Sequence, residues 1–240
     1  MGKEKILVLG GTGPAGICLL RELLSRNHMT VLFARNPAKV PADLLSNTLL
    51  EIVRGEKSDI NALSNAVSNC STVISFLGPA ASMKLASTTV YADYYRAMFP
   101  LMRQHGVRRI FAMGTISIHQ DEDRWSFAQF SIEWMVRIIA NGPYHNIISI
   151  QKLFEEKEVT RDIDWTVFRI GNISGAGDDM EVWARDREDG DIYVGPLGAA
   201  GWSHSQKRAR LARWLVDATE DGATEWIGQM PAVSKLVGTR

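Results

Sequence analysis

The stretch KILVLGGTGPAGICLLRELLSR, residues 5–26, decides the fold. A short aliphatic run gives way to Gly10, Gly11, Gly13 and Gly16 with Pro14 among them, and then to an amphipathic helical pattern. A turn this rich in glycine costs backbone entropy on folding, so something must need the backbone to come unusually close. Gly10, Gly13 and Gly16 satisfy GxxGxxG, and Gly11, Gly13 and Gly16 satisfy GxGxxG, at a junction of strand and helix. Free N–H groups at a helix N-terminus can there receive a pyrophosphate, and any Cβ would intrude. The stretch therefore reads as a dinucleotide site at the first strand–helix junction of an α/β fold.

The rest of the chain keeps that rhythm. Aliphatic runs at Ile6 to Leu9, Thr30 to Ala34, Leu49 to Val53, Thr72 to Leu77, Arg109 to Met113 and Trp165 to Ile170 read as strands buried on both faces. Helical patterns fit between them at Ala15 to Ser25, Ile60 to Ser68, Met83 to Gln104, Ser126 to Ala140 and Tyr144 to Glu158, with a last one in QKRARLARWLVDAT. Alternation of this kind predicts a Rossmann-like, doubly wound parallel sheet with helices on both faces. His105-Gly106 reads as a helix end, and Asn141-Gly142-Pro143 as a break. Residues 1–240 are expected to form one domain, in which 172–204 is an irregular segment on the substrate side.

Composition removes several function classes. The 27 basic and 27 acidic residues balance, which gives no reason to expect nucleic acid or an anionic membrane as partner. No apolar run approaches the roughly eighteen residues that span a bilayer. Cys18 and Cys70 read as small buried hydrophobes in a reducing compartment, and Met1-Gly2-Lys3-Glu4-Lys5 leads directly into a strand pattern, so a cytoplasmic protein is expected. His28, Asp59 and the acidic DEDR run show no metal-ligand spacing, so no metal is expected.

At the end of the second strand stands LFARNPAK. Arg35 occupies the place where an acid would hydrogen-bond the ribose 2′-hydroxyl of NAD. A guanidinium there suits a 2′-phosphate, with Lys39 as a second cation, so the expected cofactor is NADP(H) rather than NAD(H).

With these residues assembled, the chain resembles the atypical short-chain dehydrogenase/reductases of the NAD(P)H-binding, NmrA-like group. The resemblance rests on VLGGTGPAG, ARNPAK, VRGEKSD, VISFLG, RIFAMGTIS, DWTVFRIGN and the late SQKRARLARWLVDAT, and covers most of the chain. The tail EWIGQMPAVSKL and the spacing around Gly195 are similar to members from fungal aromatic-polyketide pathways. The resemblance implies Gly10, Thr12, Gly13, Pro14 and Ala15 at the pyrophosphate, Arg35 on the 2′-phosphate and Glu56-Lys57 near the adenine. It further implies Phe76, Leu77 and Gly78 against the adenosine half, and Ile170, Gly171 and Asn172 facing the nicotinamide.

At the catalytic positions the chain departs from the group. Ordinary members carry Ser, Tyr and Lys, with Tyr and Lys spaced YxxxK on one helical face. Here Thr115 stands at the Ser position, followed by Ser117 and His119; Lys152 fills the Lys position, and Ile148 stands where the Tyr belongs. Lys152 would hydrogen-bond the nicotinamide ribose and Thr115 would orient a substrate oxygen. His119, Tyr144 and His145 are the candidates for the proton donor. Trp125, Phe127, Phe130, Trp134, Trp183, Tyr193 and Trp202 suit either core packing or an aromatic-lined pocket. The expected function is NADPH-dependent oxidation or reduction of a small, aromatic or polyketide-like metabolite by a monomer or homodimer. A redox sensor of NmrA-like type and a redox-neutral isomerase or cyclase are the alternatives.

Overall fold

The computed structural model describes residues 5–79, 85, 87–124, 141–177 and 179–238. In chain order the elements are β1 (Lys5–Leu9), α1 (Pro14–Ser25), β2 (Thr30–Ala34), α2 (Ala42–Leu45), β3 (Leu50–Arg54), α3 (Ile60–Ser68), β4 (Cys70–Ser75), α4 (Val90–Gln104), β5 (Arg109–Thr115), α5 (Asn141–Glu155), β6 (Asp164–Ile170), β7 (Asn172–Ser174), α6 (Met180–Asp186), β8 (Ile192–Gly195), β9 (Ser205–Lys207), α7 (Arg208–Glu220) and β10 (Ala232–Lys235). One eight-stranded sheet runs β3-β2-β1-β4-β5-β6-β10-β8, and β7 pairs with β9 in a second, two-stranded sheet.

Successive residues of a strand point to opposite faces, and here both faces are apolar. Ile6, Val8, Leu32 and Ala34 join the core beneath α1 and α7, whereas Leu7, Leu9, Val31 and Phe33 join the core beneath α3, α4 and α5. Such strands read as unbroken aliphatic runs, and all six expected ones form, each end within two residues of its expected place; β3, however, lies at the sheet edge with half-buried and exposed residues, and is not buried on both faces as expected. The order reverses at β1, flanked by β2 and β4, and the crevice beyond the carboxyl ends of those strands is where an open sheet of this kind takes its ligand.

The doubly wound sheet is mostly parallel, as expected: β10 adds to β6 in parallel, and β8 alone closes the edge antiparallel to β10. The structure corrects three further expectations. The helix expected from Met83 starts at Val90, since residues 85 and 87–89 are not helical. The Ser87 hydroxyl accepts from the Thr89 amide at 3.2 Å and the Thr89 hydroxyl donates to Asp93 at 2.7 Å, local bonds that compete with an earlier start. The helix expected over 144–158 runs three residues earlier at both ends, with Gly142 and Pro143 in its first turn, where proline's missing N–H costs no bond. Finally, residues 172–204 hold β7, α6 and β8 rather than irregular chain alone. The helix expected over 126–140, with Trp125, Phe127, Phe130 and Trp134, lies outside the described residues.

Candidate functional site: a dinucleotide cradle at the β1–α1 turn

The Phe76 amide donates to Leu9 O at 2.9 Å, tying the ends of β1 and β4 together just where the glycine loop departs. Gly10 has φ +74°, and a Cβ on it would come within 2.9 Å of the Phe76 carbonyl carbon. A Cβ on Gly16 would collide with Gly10 O and Gly11 Cα, so the first turn of α1 rests directly on the loop. Gly13 is different. Its backbone is ordinary extended chain (φ −85°, ψ 165°), and a Cβ there would meet only Gly10 O at 3.7 Å, an everyday contact. Neither conformation nor packing demands glycine at this position; the bare side faces the crevice. Gly13 is also the N-cap of α1, so no side-chain oxygen covers the first-turn amides, and the first intrahelical bond, Ile17 N to Gly13 O, spans 2.8 Å.

Beyond this turn a cleft of about 620 Å³ opens. Gly10, Thr12, Gly13, Arg35, Lys39, Glu56, Phe76, Leu77 and Gly78, all expected from the sequence, line it. So do Tyr91 and Tyr94 of α4, which sequence reading missed. Their three-residue spacing on one helical face was the available signal, masked by the apolar pattern of the same helix. Burial raises the pKa of both phenols, with Tyr95 adding to the effect on Tyr94, so neither ionises near neutrality. The Phe76 ring is held edge-on to Phe168, their centres 5.5 Å apart. At the far end the Lys57 ammonium lies 4.0 Å from the centre of the Tyr91 ring.

The profile of the NAD(P)H-binding family matches residues 10–222. The chain belongs to that family. Solved structures similar to it include a short-chain dehydrogenase/reductase from Veillonella parvula in complex with NADP, 16% identical over 98% of this chain and 96% of that one, with a TM-score of 0.74. A Rossmann-fold NAD(P)-binding family protein from Shigella flexneri is 15% identical over 99% and 98% of the two chains, with a TM-score of 0.66. ChuY, an anaerobillin reductase from Escherichia coli O157:H7, is 12% identical over 96% and 97%, with a TM-score of 0.69. Likeness at such identities speaks for the fold alone. No curated protein matches the sequence.

The residues of this NAD(P)H-binding protein fit the dinucleotide. Gly13 leaves open the face that a pyrophosphate would occupy, and Arg35, Lys39 and Lys57 form no ion pair or hydrogen bond with an acid among the described residues. Pro14 and Ala15 stand in the first turn of α1, with Ala15 buried. Ile170, Gly171 and Asn172 do not line this cleft. Ile170 is buried at the end of β6, and a Cβ on Gly171 would come within 2.5 Å of His204 O, so the backbone just before β9 is reason enough for that glycine. The exposed Asn172 donates its amide to the same oxygen at 2.8 Å.

None of Thr115, His119, Tyr144 and Lys152 lines the cleft. Thr115 ends β5, and its hydroxyl accepts from the Ser117 amide at 3.3 Å. His119 is exposed, with its carbonyl accepting from Gln151 of α5 at 3.2 Å. Tyr144 lies edge-on to His145 at 5.4 Å, two turns before the exposed Lys152 on α5, which packs on β5. Ile148, at the position where the resemblance implies a Tyr, is half-buried.

A strap over the cradle also escaped sequence reading. A Cβ on Gly177 would come within 2.6 Å of Pro14 O and 3.0 Å of Cys18 Sγ, so this part of the late segment lies on the first turns of α1. The Arg21 Nε donates to Gly177 O at 2.7 Å, and the fully buried Glu22 accepts from Arg187 at 2.8 and 2.9 Å and from Arg26 at 2.8 Å. Two adjacent charges on the buried side of an apolar helix were the signal. Similarly, Arg169 of β6 grips Asp123 with both nitrogens at 2.5 and 2.8 Å, and Asp123 accepts from Leu197 N at 2.8 Å. Trp183 is packed into the core with Arg187 over its ring, the Tyr193 hydroxyl donates to Pro196 O, and Trp202 lies against His204.

Proposed function

We propose that this NAD(P)H-binding protein is an NADPH-dependent oxidoreductase of the atypical short-chain dehydrogenase/reductase type acting on a small, aromatic or polyketide-like metabolite. The observation that carries the reading is the cationic end of the cleft: Arg35 closes β2 where an acid would select the ribose 2′-hydroxyl, and Lys39 lines the same wall. The similar Veillonella parvula protein, itself in complex with NADP, is in keeping with this. The aromatic substrate class rests on the resemblance of the tail and of the Gly195 region to fungal aromatic-polyketide members.

When bound, the nicotinamide supplies or accepts the hydride. The chain does the rest. Thr12, Gly13, Pro14 and Ala15 receive the pyrophosphate, Arg35 and Lys39 the 2′-phosphate, and Glu56, Phe76, Leu77 and Gly78 the adenosine. Ile170, Gly171 and Asn172 border the nicotinamide. Lys152 holds the nicotinamide ribose, Thr115 orients the substrate oxygen, and His119 or Tyr144 delivers the proton. Residues 1–240 work as one unit in the cytoplasm, with 172–204 on the substrate side, as a monomer or homodimer with small-molecule ligands alone. Ile148 in place of the usual Tyr favours a second reading, in which bound NADP(H) serves a sensor or a redox-neutral isomerase or cyclase.

Arg35→Ala tests the cofactor assignment: NADPH affinity falls about tenfold, the loss of a charge-assisted contact, while NADH affinity holds. An unchanged preference overturns it. Screening aromatic carbonyl compounds by NADPH absorbance separates the readings, since the oxidoreductase consumes NADPH and loses turnover as Lys152→Ala, whereas a sensor or isomerase consumes none.

A further inference from the structure

We infer that Lys57 is a specificity-determining residue for the 2′-phosphate, the third cation of a site with Arg35 and Lys39, and that the Tyr91 ring positions it there. The inference rests on the NADPH reading above. The resemblance by itself would assign Glu56-Lys57 to the adenine, and the geometry points elsewhere for Lys57.

Arg35 and Lys39 come from the end of β2 and the turn after it, Lys57 from the turn after β3, and all three line one cleft. Parallel pairing of β2 with β3, with Ala34 opposite Arg54, delivers the two turns side by side. Glu56 is the single acid among the described residues of the lining, and it bonds to none of the three. Like charges gathered without a counter-charge are unfavourable by themselves and become favourable around an anion of two charges. A ribose 2′-phosphate is such a group; an adenine ring is neutral and gains nothing from a cation cluster.

Lys57 is also held rather than free. Its ammonium sits 4.0 Å above the centre of the Tyr91 ring, which restricts a side chain otherwise rich in rotamers. Although the residue as a whole is exposed, the atoms crowding its ammonium, and then the charge of Arg35, lower its pKa. That direction is in keeping with the shared lining, in which Arg35 and Lys57 face one cleft. Tyr91 is a buried residue of α4, so the ring is fixed by the core and not by the ligand.

Calorimetric titration of the full chain with NADPH and NADH, and with 2′,5′-ADP and 5′-AMP as fragments, tests this on Lys57→Met, which keeps the stem over the ring and removes the charge. The expected result is a loss of about tenfold for NADPH and 2′,5′-ADP with less than about twofold for NADH and 5′-AMP, as for one charge-assisted contact. Lys57→Arg should restore most of the preference. Equal losses for phosphorylated and unphosphorylated ligands would mean that Lys57 serves the shared adenosine half, and unchanged affinities would mean that it is a surface lysine; either overturns the inference. Arg35→Ala is titrated alongside. If the unaltered protein prefers NADPH and Arg35→Ala removes that preference while Lys57→Met does not, the inference fails and the cofactor reading stands. If the unaltered protein shows no preference, the cofactor reading fails with it.

Discussion

Gly13 and Gly16 look alike in the motif and do different work. Gly16 is required by the protein itself, because a Cβ would strike Gly10 O; Gly13 has only an ordinary contact to meet and faces the crevice. Gly16→Ala should therefore destabilise the fold by about 1–3 kcal/mol through overpacking. Gly13→Ala should cost less than about 1 kcal/mol, the scale of a helix-cap change, yet weaken NADPH binding more than tenfold. Denaturant unfolding and nucleotide titration on the two variants check this; equal stability losses, or intact binding in Gly13→Ala, would count against the cradle. At this scale the sequence is informative where chemistry is concentrated in one turn. Nine expected cofactor residues line the cleft because they follow the ends of four strands, β1 to β4, that the parallel order brings together. Tyr91 and Tyr94 escaped because their three-residue spacing is equally that of a core-facing pair such as Tyr95 and Met98, and both in fact pack into the core as well as lining the cleft.

Between elements, two buried acids hold the late segment in place, Glu22 to α1 and Asp123 to the sheet. Burial alone would raise the Glu22 carboxyl, but hydrogen bonds from Arg187 and Arg26 outweigh it and keep its pKa below the ordinary 4.5. Burial likewise works against Asp123, and Arg169 overrides it, holding the carboxyl below 3.8. A carboxylate with a lowered folded pKa stabilises fully above the unfolded value, and the contribution drains away as pH falls through the folded one. Stability should thus drop on acidification below about pH 4.5, and Glu22→Gln should flatten that limb in a urea-midpoint series against pH. Asp123→Asn should cost about 3–5 kcal/mol, since it leaves the buried Arg169 without its counter-charge. A loss under about 1 kcal/mol would show the pair to be dispensable. These ties, and β7 to β10, are what the sequence does not reveal. Strands β1 to β6 are legible as aliphatic runs, β3 at the sheet edge among them, whereas β10 is only AVSK and β9 only SQK. Their pairing comes from the turn of the chain after β6, which has no local signature.

For the whole molecule, 27 positive and 27 negative charges cancel, so no global field draws an anionic dinucleotide in. Whatever electrostatic preference exists is local, at the ends of β2 and β3. Raising ionic strength should then weaken NADPH more than NADH, and Arg35→Ala should bring the two salt dependences together; parallel slopes in the unaltered protein would deny the local site. The glycine turn and the cations beside it together hold a 2′-phosphorylated dinucleotide. A calorimetric titration of the purified protein with NADPH, NADP⁺, NADH and NAD⁺ in one buffer tests this most directly. Tight binding confined to the phosphorylated pair is expected; equal binding of all four, or binding of none, would contradict it.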